Sequence, residues 1–103
     1  MSMRMPSNFG RPGEQESALD LLGHEILAEK AAALGRAGQR VEETLARLRE
    51  NGGDEHRPQL LRDAAEAVHG YFIQRELCGL RKHDAVIREY NIPNAVLARL
   101  GAK

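Results

Sequence analysis

The chain has 103 residues, 42% of them hydrophobic but only four aromatic and none Trp, so it can build one domain at most, with a core of Leu, Ile, Val and Ala. Fifteen Lys/Arg balance fifteen Asp/Glu, so no bulk field draws the chain to nucleic acid or to an anionic membrane. No signal-like segment opens it, no apolar run reaches the ~18 residues of a bilayer span, and the single Cys78 cannot pair internally, so a cytoplasmic protein is expected.

Residues 1–13, "MSMRMPSNFGRPG", hold two Pro and two Gly without periodicity and read as a flexible N-terminal leader whose one sizeable anchor is Phe9. The remainder, 14–103, is expected to be a single helical domain. At Ser17 the pattern changes: "SALD" has the form of a capping box, and Glu14 and Glu16 allow a start one turn earlier. Apolar residues then recur at Leu19, Leu22, Ile26, Leu34, Val41, Leu45 and Leu48, and Leu27, Leu34, Val41 and Leu48 form a strict heptad row. Gly35 and Gly38 lie inside this helix. Each interior Gly costs roughly 1 kcal/mol against Ala, so two close together imply that something approaches the backbone. "ENGGDEHRP" stops the helix, with Asn51, Gly52 and Gly53 offering C-caps and Pro58 suited to the first turn of the next.

The second helix is expected from Pro58 through Leu61, Ala64, Ala65, Val68, Phe72, Leu80 and Ile87 to Tyr90. The polar segment Arg75 to Lys82, with Gly79 inside it, is its weakest point. Hairpin arithmetic favours continuity. A turn centred between residues 54 and 55 pairs positions whose numbers add to about 109, so an unbroken second helix brings residue 90 beside residue 19. The same register sets Tyr71 against Gly38 and Gln74 beside Gly35, giving the ring a groove made by a missing side chain.

The last stretch, "EYNIPNAVLARLG", reads as a helix stopped at Asn91, a turn through Ile92 and Pro93, and a short helix from Asn94 to Leu100. The fold class is therefore all-α: a long antiparallel helical hairpin plus a short C-terminal helix. Leu27 and Leu34 point partly away from the stripe through Leu22 and Ile26, so more than one face wants cover. Two solutions exist. A second copy completes a four-helix bundle with two-fold symmetry, or the C-terminal segment folds back within one chain. The homodimer is the preferred expectation, packed through Leu27, Leu34, Gly38, Val41, Leu45, Leu48, Leu61, Val68, Tyr71 and Phe72. Residues 1–55 carry seven Lys/Arg against ten Asp/Glu and residues 56–103 carry eight against five, a split that lets antiparallel helices attract.

Four constellations are candidates for chemistry. Residues 84–101 match a degenerate helix-turn-helix on spacing, with Val86, Tyr90, Ile92, Leu97 and Leu100 at the apolar offsets and Asn91 where Gly is usual. Ile87 stands where a small residue is needed, and only Asn94 and Arg99 could meet DNA, so a structural cap is preferred. Glu66 and His69 have the Glu-x-x-His spacing of di-iron bundles, with Glu42 or Glu43 at a matching height, but Glu66 points about 140° from the inward stripe. Cys78 and His83 lie roughly 140° apart on a continuous helix and cannot form a nucleophile–base pair. His24 lacks a second His at protease spacing, and His56 lies in the turn. The basic residues Arg75, Arg81, Lys82, Arg88 and Arg99 are the candidate partner-binding set. The bland reading of that cluster is a solvated face answering Glu16, Asp20, Glu25 and Glu29.

From "YFIQREL" through "GLRKHDAVIREYNIPNAVLARLG", carried by Tyr90, Ile92, Pro93, Leu97, Arg99 and Gly101, the chain resembles a family of small all-helical proteobacterial proteins of unknown function. The resemblance implies a cytoplasmic helical protein and assigns no site. The expected function is a non-catalytic structural or protein-interaction module without cofactor or metal, acting as a homodimer and engaging another protein rather than nucleic acid or membrane. A small transcription-associated DNA binder and a metal-binding bundle are the alternatives.

Overall fold

The computed structural model describes residues 12–51, 53 and 55–100. The leader through residue 11 with Phe9, the expected cap Gly52 and Gly101 lie outside the described residues, as do the side chains of Ser17 and Leu19. The described chain is all helix and turn. Two long helices come first, α1 (Pro12–Asn51) and α2 (Arg57–Leu77), followed by two short ones, α3 (Asp84–Glu89) and α4 (Asn94–Leu97). Met1–Ala31 and Ala32–Lys103 form separate units. Helix α1 opens at Pro12, earlier than the Ser17 box, because a Pro in a first turn gives up no hydrogen bond.

In the second unit the core is one cluster: Val41, Leu45 and Leu48 from α1, Leu61, Ala64, Ala65, Ala67, Val68 and Tyr71 from α2, Val86 from α3, then Ile92 and Val96. Leu34, Phe72, Ile87, Leu97 and Leu100 pack against it from the rim. Tyr71 meets Gly38, where an added Cβ would lie 3.4 Å from Cε1 of the ring. The register that sets Tyr71 against Gly38 also sets Val68 against Val41, Ala64 against Leu45 and Leu61 against Leu48, and every one of these residues is buried. Gly35 behaves otherwise: it is exposed, and a Cβ there would meet nothing within 4 Å. The buried hydroxyl of Thr44 is satisfied inside its own helix, donating toward the carbonyls of Arg40 (2.8 Å) and Val41 (3.1 Å).

The second helix does not run on to Tyr90. It ends at Leu77, with Cys78 as its cap and Gly79 at φ 88°. The N–H of Leu80 donates to the carbonyl of Arg75 (2.8 Å) and that of Gly79 to Glu76 (3.0 Å), the paired closure of a Schellman stop. Helix α3 stops the same way. Asn91 takes φ 53°, Ile92 N–H donates to Ile87 (3.0 Å) and Asn91 N–H to Arg88 (3.1 Å). Asn accepts this left-handed position because its short side chain tolerates it better than most.

The two stops fold the C-terminal segment back onto the first hairpin, and α4 packs against α2. Tyr90 therefore sits at Gly38 rather than beside residue 19: its hydroxyl lies 3.0 Å from the position of a Cβ on Gly38. Arg49 on α1 donates to the carbonyls of Tyr90 (2.9 Å) and Asn91 (3.4 Å), occupying oxygens that the end of α3 leaves open. The fold-back covers this core within one chain. Helix α4 is also shorter than expected, with Ala98–Leu100 in turns.

Candidate functional site

The loop between α2 and α3 is closed by side chains that sequence spacing did not bring together. Arg75, half-buried, donates from Nε to Nδ1 of His83 (3.1 Å) and from Nη2 to the carbonyl of Lys82 (2.7 Å). Its guanidinium lies 5.9 Å from the centre of the Tyr71 ring. Since Nδ1 of His83 accepts from arginine, the imidazole proton belongs on Nε2, which donates to a carboxylate oxygen of Glu76 at 3.0 Å. The His83 ring also stacks on Phe72, centroids 4.1 Å apart and planes within 1°. These contacts tie Arg75, Glu76 and His83 together across the loop.

Outside this latch the loop end presents apolar surface. Ile73 and Leu77, one turn apart on α2, are exposed at 44% and 62%, and Leu80 after the stop at 44%. Arg81 and Lys82 follow immediately and are exposed. The break at Gly79 creates this arrangement, because Leu80 leaves the helical stripe to which its spacing assigned it. In the other unit, Leu21, Leu22, Ile26 and Leu27 are exposed at 67%, 54%, 52% and 66%. Glu25 and Glu29 run along the edge of the Leu22–Ile26 strip, since residues three and four apart are neighbours on a helix.

The candidates from sequence now have places. Gly38, Val41, Leu45, Leu48, Leu61, Val68 and Tyr71 are buried together, with Leu34 and Phe72 at the rim. Leu27 is not in that core and is exposed. Arg75 is half-buried and tied into the latch, whereas Arg81, Lys82, Arg88 and Arg99 are exposed. The turn at Gly79 also removes the premise that residues 81–88 continue along α1 beside Glu16 to Glu29, and the premise that Cys78 and His83 share one helix.

Of the stretch 84–101, the described residues do form a helix, a turn and a helix, but α4 is a single turn whose Val96 is wholly buried. Asn94 and Arg99 are the polar side chains it leaves exposed, which is little with which to read a groove. Glu66 and His69 are both exposed. Among the described residues no three His, Cys, Asp or Glu side chains gather as a metal site, and no helix is long and apolar enough to cross a membrane.

Over residues 2–103 the sequence fits the family described as "Family of unknown function (DUF6665)". The chain belongs to DUF6665. The DUF6665 match takes in nearly the whole chain, well beyond the C-terminal third on which the resemblance rested. No curated protein and no solved structure matches it.

Proposed function

We propose that this DUF6665 chain is a non-catalytic protein-interaction module that works as a helical homodimer in the cytoplasm. One observation carries the reading. All seven large hydrophobic side chains exposed among the described residues fall in two short stretches, Leu21–Leu27 and Ile73–Leu80. Single exposed leucines are ordinary, whereas apolar side chains gathered into patches mark places where something docks. Fully burying one such side chain is worth roughly 1.5–3 kcal/mol, so even partial cover of several offsets a large part of the cost of association.

The polar chemistry supports a non-catalytic role. The best-organised polar group, Arg75, Glu76 and His83, spends its hydrogen bonds on closing a loop, and the half-buried thiol of Cys78 sits at a helix cap. A lone thiol of this kind suits a reducing compartment.

Sedimentation equilibrium of the full chain across about 1 to 100 µM tests the reading, since a dimer's populations follow mass action. A reversible dimer, weakened by Leu22→Glu and Ile26→Glu with helicity retained, is the expected result. A folded monomer throughout that range ends it.

A further inference from the structure

The bond between Arg75 and His83 exists only while the imidazole is neutral. An arginine Nε–H donates and never accepts, so Nδ1 of His83 must offer a lone pair to hold it at 3.1 Å. A proton added to the ring goes to that same nitrogen, because Nε2 already carries one toward Glu76 (3.0 Å). Two N–H groups then face each other, each on a cation. The ring's other contacts gain from the proton. Glu76 meets a full positive charge in place of a neutral donor, and a cation is favoured on the face of Phe72, whose ring lies parallel with centroids 4.1 Å apart. The other titratable or charged groups next to the latch are the half-buried Cys78 thiol at the cap of α2, Arg81 and Lys82 in the loop, and Asp84 opening α3. Those three charges are exposed and screened by water, whereas the His83 side chain is only 15% exposed where Arg75 meets it.

We propose that His83 is a proton-operated catch: protonation leaves its ring on Phe72 and Glu76 but drives off Arg75, loosening the loop between α2 and α3. The guanidinium is planar and rigid, so Nε cannot withdraw without disturbing the Nη2 bond to the Lys82 carbonyl (2.7 Å) as well. The loop keeps its hold through Glu76 and the backbone bonds of the Gly79 stop and loses its hold through Arg75. The segment that loosens adjoins the exposed Leu77 and Leu80. Among side chains of ordinary acidity only imidazole changes charge between about pH 5 and pH 8, so the catch answers to mild acidification. It lies wholly within the unit Ala32–Lys103 and requires no second copy.

Nitrogen NMR of the full, isotope-labelled chain tests the catch, with the signals of His24, His56 and His69 separated by substituting each in turn. Near pH 8 the His83 ring is expected to carry its one proton on Nε2 while the Nε–H of Arg75 exchanges slowly. At about pH 5 the ring is expected to be doubly protonated. Protection of the Arg75 Nε–H, corrected for the base dependence of exchange, is expected to fall about tenfold or more there, the loss of one hydrogen bond to a charged group. The amide of the wholly buried Val41 is expected to stay protected at both pH values. His83→Phe keeps a ring against Phe72 and removes both polar bonds, so its Arg75 Nε–H is expected to exchange near pH 8 as the parent's does near pH 5. A proton on Nδ1 near pH 8, a ring still neutral near pH 5, or equal protection of Arg75 at both overturns the catch. Protection that survives His83→Phe overturns it too, as does loss of Val41 protection in step with Arg75, since the whole unit would then be opening.

Discussion

The hydroxyl of Tyr90 lies 3.0 Å from the point where a Cβ on Gly38 would stand, and the Tyr71 ring lies 3.4 Å from the same point. One missing side chain on α1 thus admits two rings from two different elements. The rings meet edge to face, centroids 5.7 Å apart and planes at 88°, an arrangement aromatic pairs favour. Gly38→Ala adds one methyl that the end of Tyr90 can yield to, and it gains roughly 1 kcal/mol of helix propensity. The net change is expected to stay within about 1 kcal/mol. Gly38→Leu has no such outlet and is expected to lose several kcal/mol in urea unfolding while expelling Tyr71. Equal midpoints for Leu and Ala would refute the packing.

Gly35 and Gly70 give the opposite forecast. Both are exposed inside helices, and an added Cβ meets nothing within 4 Å at either. Gly35→Ala and Gly70→Ala are each expected to stabilise by about 0.5–1 kcal/mol, mostly by restricting the unfolded chain. A loss at either site would mean that the glycine serves a close approach by a partner.

Tyr90 supplies an alkaline signature. Burial first, then its hydrogen bond to the Tyr71 hydroxyl and the nearby carboxylates of Glu42 and Glu89, push its phenol from the ordinary 10 up to about 12. The folded state therefore prefers the neutral phenol. That contribution is complete below pH 10 and is lost as pH rises from 10 to 12. Tyr90→Phe is expected to flatten the fall in stability over that window. An unchanged pH profile would remove Tyr90 as its cause.

Gly79 holds a left-handed conformation that few other residues accept. Gly79→Ala is expected to cost roughly 1–2 kcal/mol through backbone strain alone, since a Cβ there has open space. Asn at the same position, like the natural Asn91, is expected to cost less than Ala. A larger loss for Asn than for Ala would contradict the left-handed stop.

Arg49 ties α1 to the end of α3 through the carbonyls of Tyr90 and Asn91. Arg49→Met keeps most of the aliphatic stem and removes the donors, and a loss of about 1 kcal/mol is expected for these exposed bonds. Amide exchange should quicken at Tyr90 to Ile92 more than at Val41. Uniform quickening would mean the contact is not local.

The first hairpin was legible because its signals agree. The glycine-rich stop, Pro58 and the helical spacing fix a turn, and the turn fixes a register in which Gly38 has one bulky neighbour to accept. The second stop was not legible. Gly79 sits among helical spacings that fit a continuous stripe, and nothing in the sequence says that its φ is positive rather than helical. That one dihedral decides where Val86, Ile92 and Val96 go. It also produces the patch at Leu77 and Leu80, which helical phase alone left inside a stripe, and the latch of Arg75 on His83, whose spacing has meaning only across a turn. The Asn91 turn was readable because Pro93 forces the chain out of the helix and Asn is suited to the left-handed residue before it.

The uneven cover along α1 gives one continuous helix two different kinds of support. Val41, Leu45 and Leu48 anchor it against the core, whereas the turns around Leu22 and Ile26 draw little from packing. Helical turns without such support persist only while they can propagate from an ordered neighbour, because starting a helix afresh is unfavourable. The anchored turns thus act as a seed from which the rest of the helix can propagate.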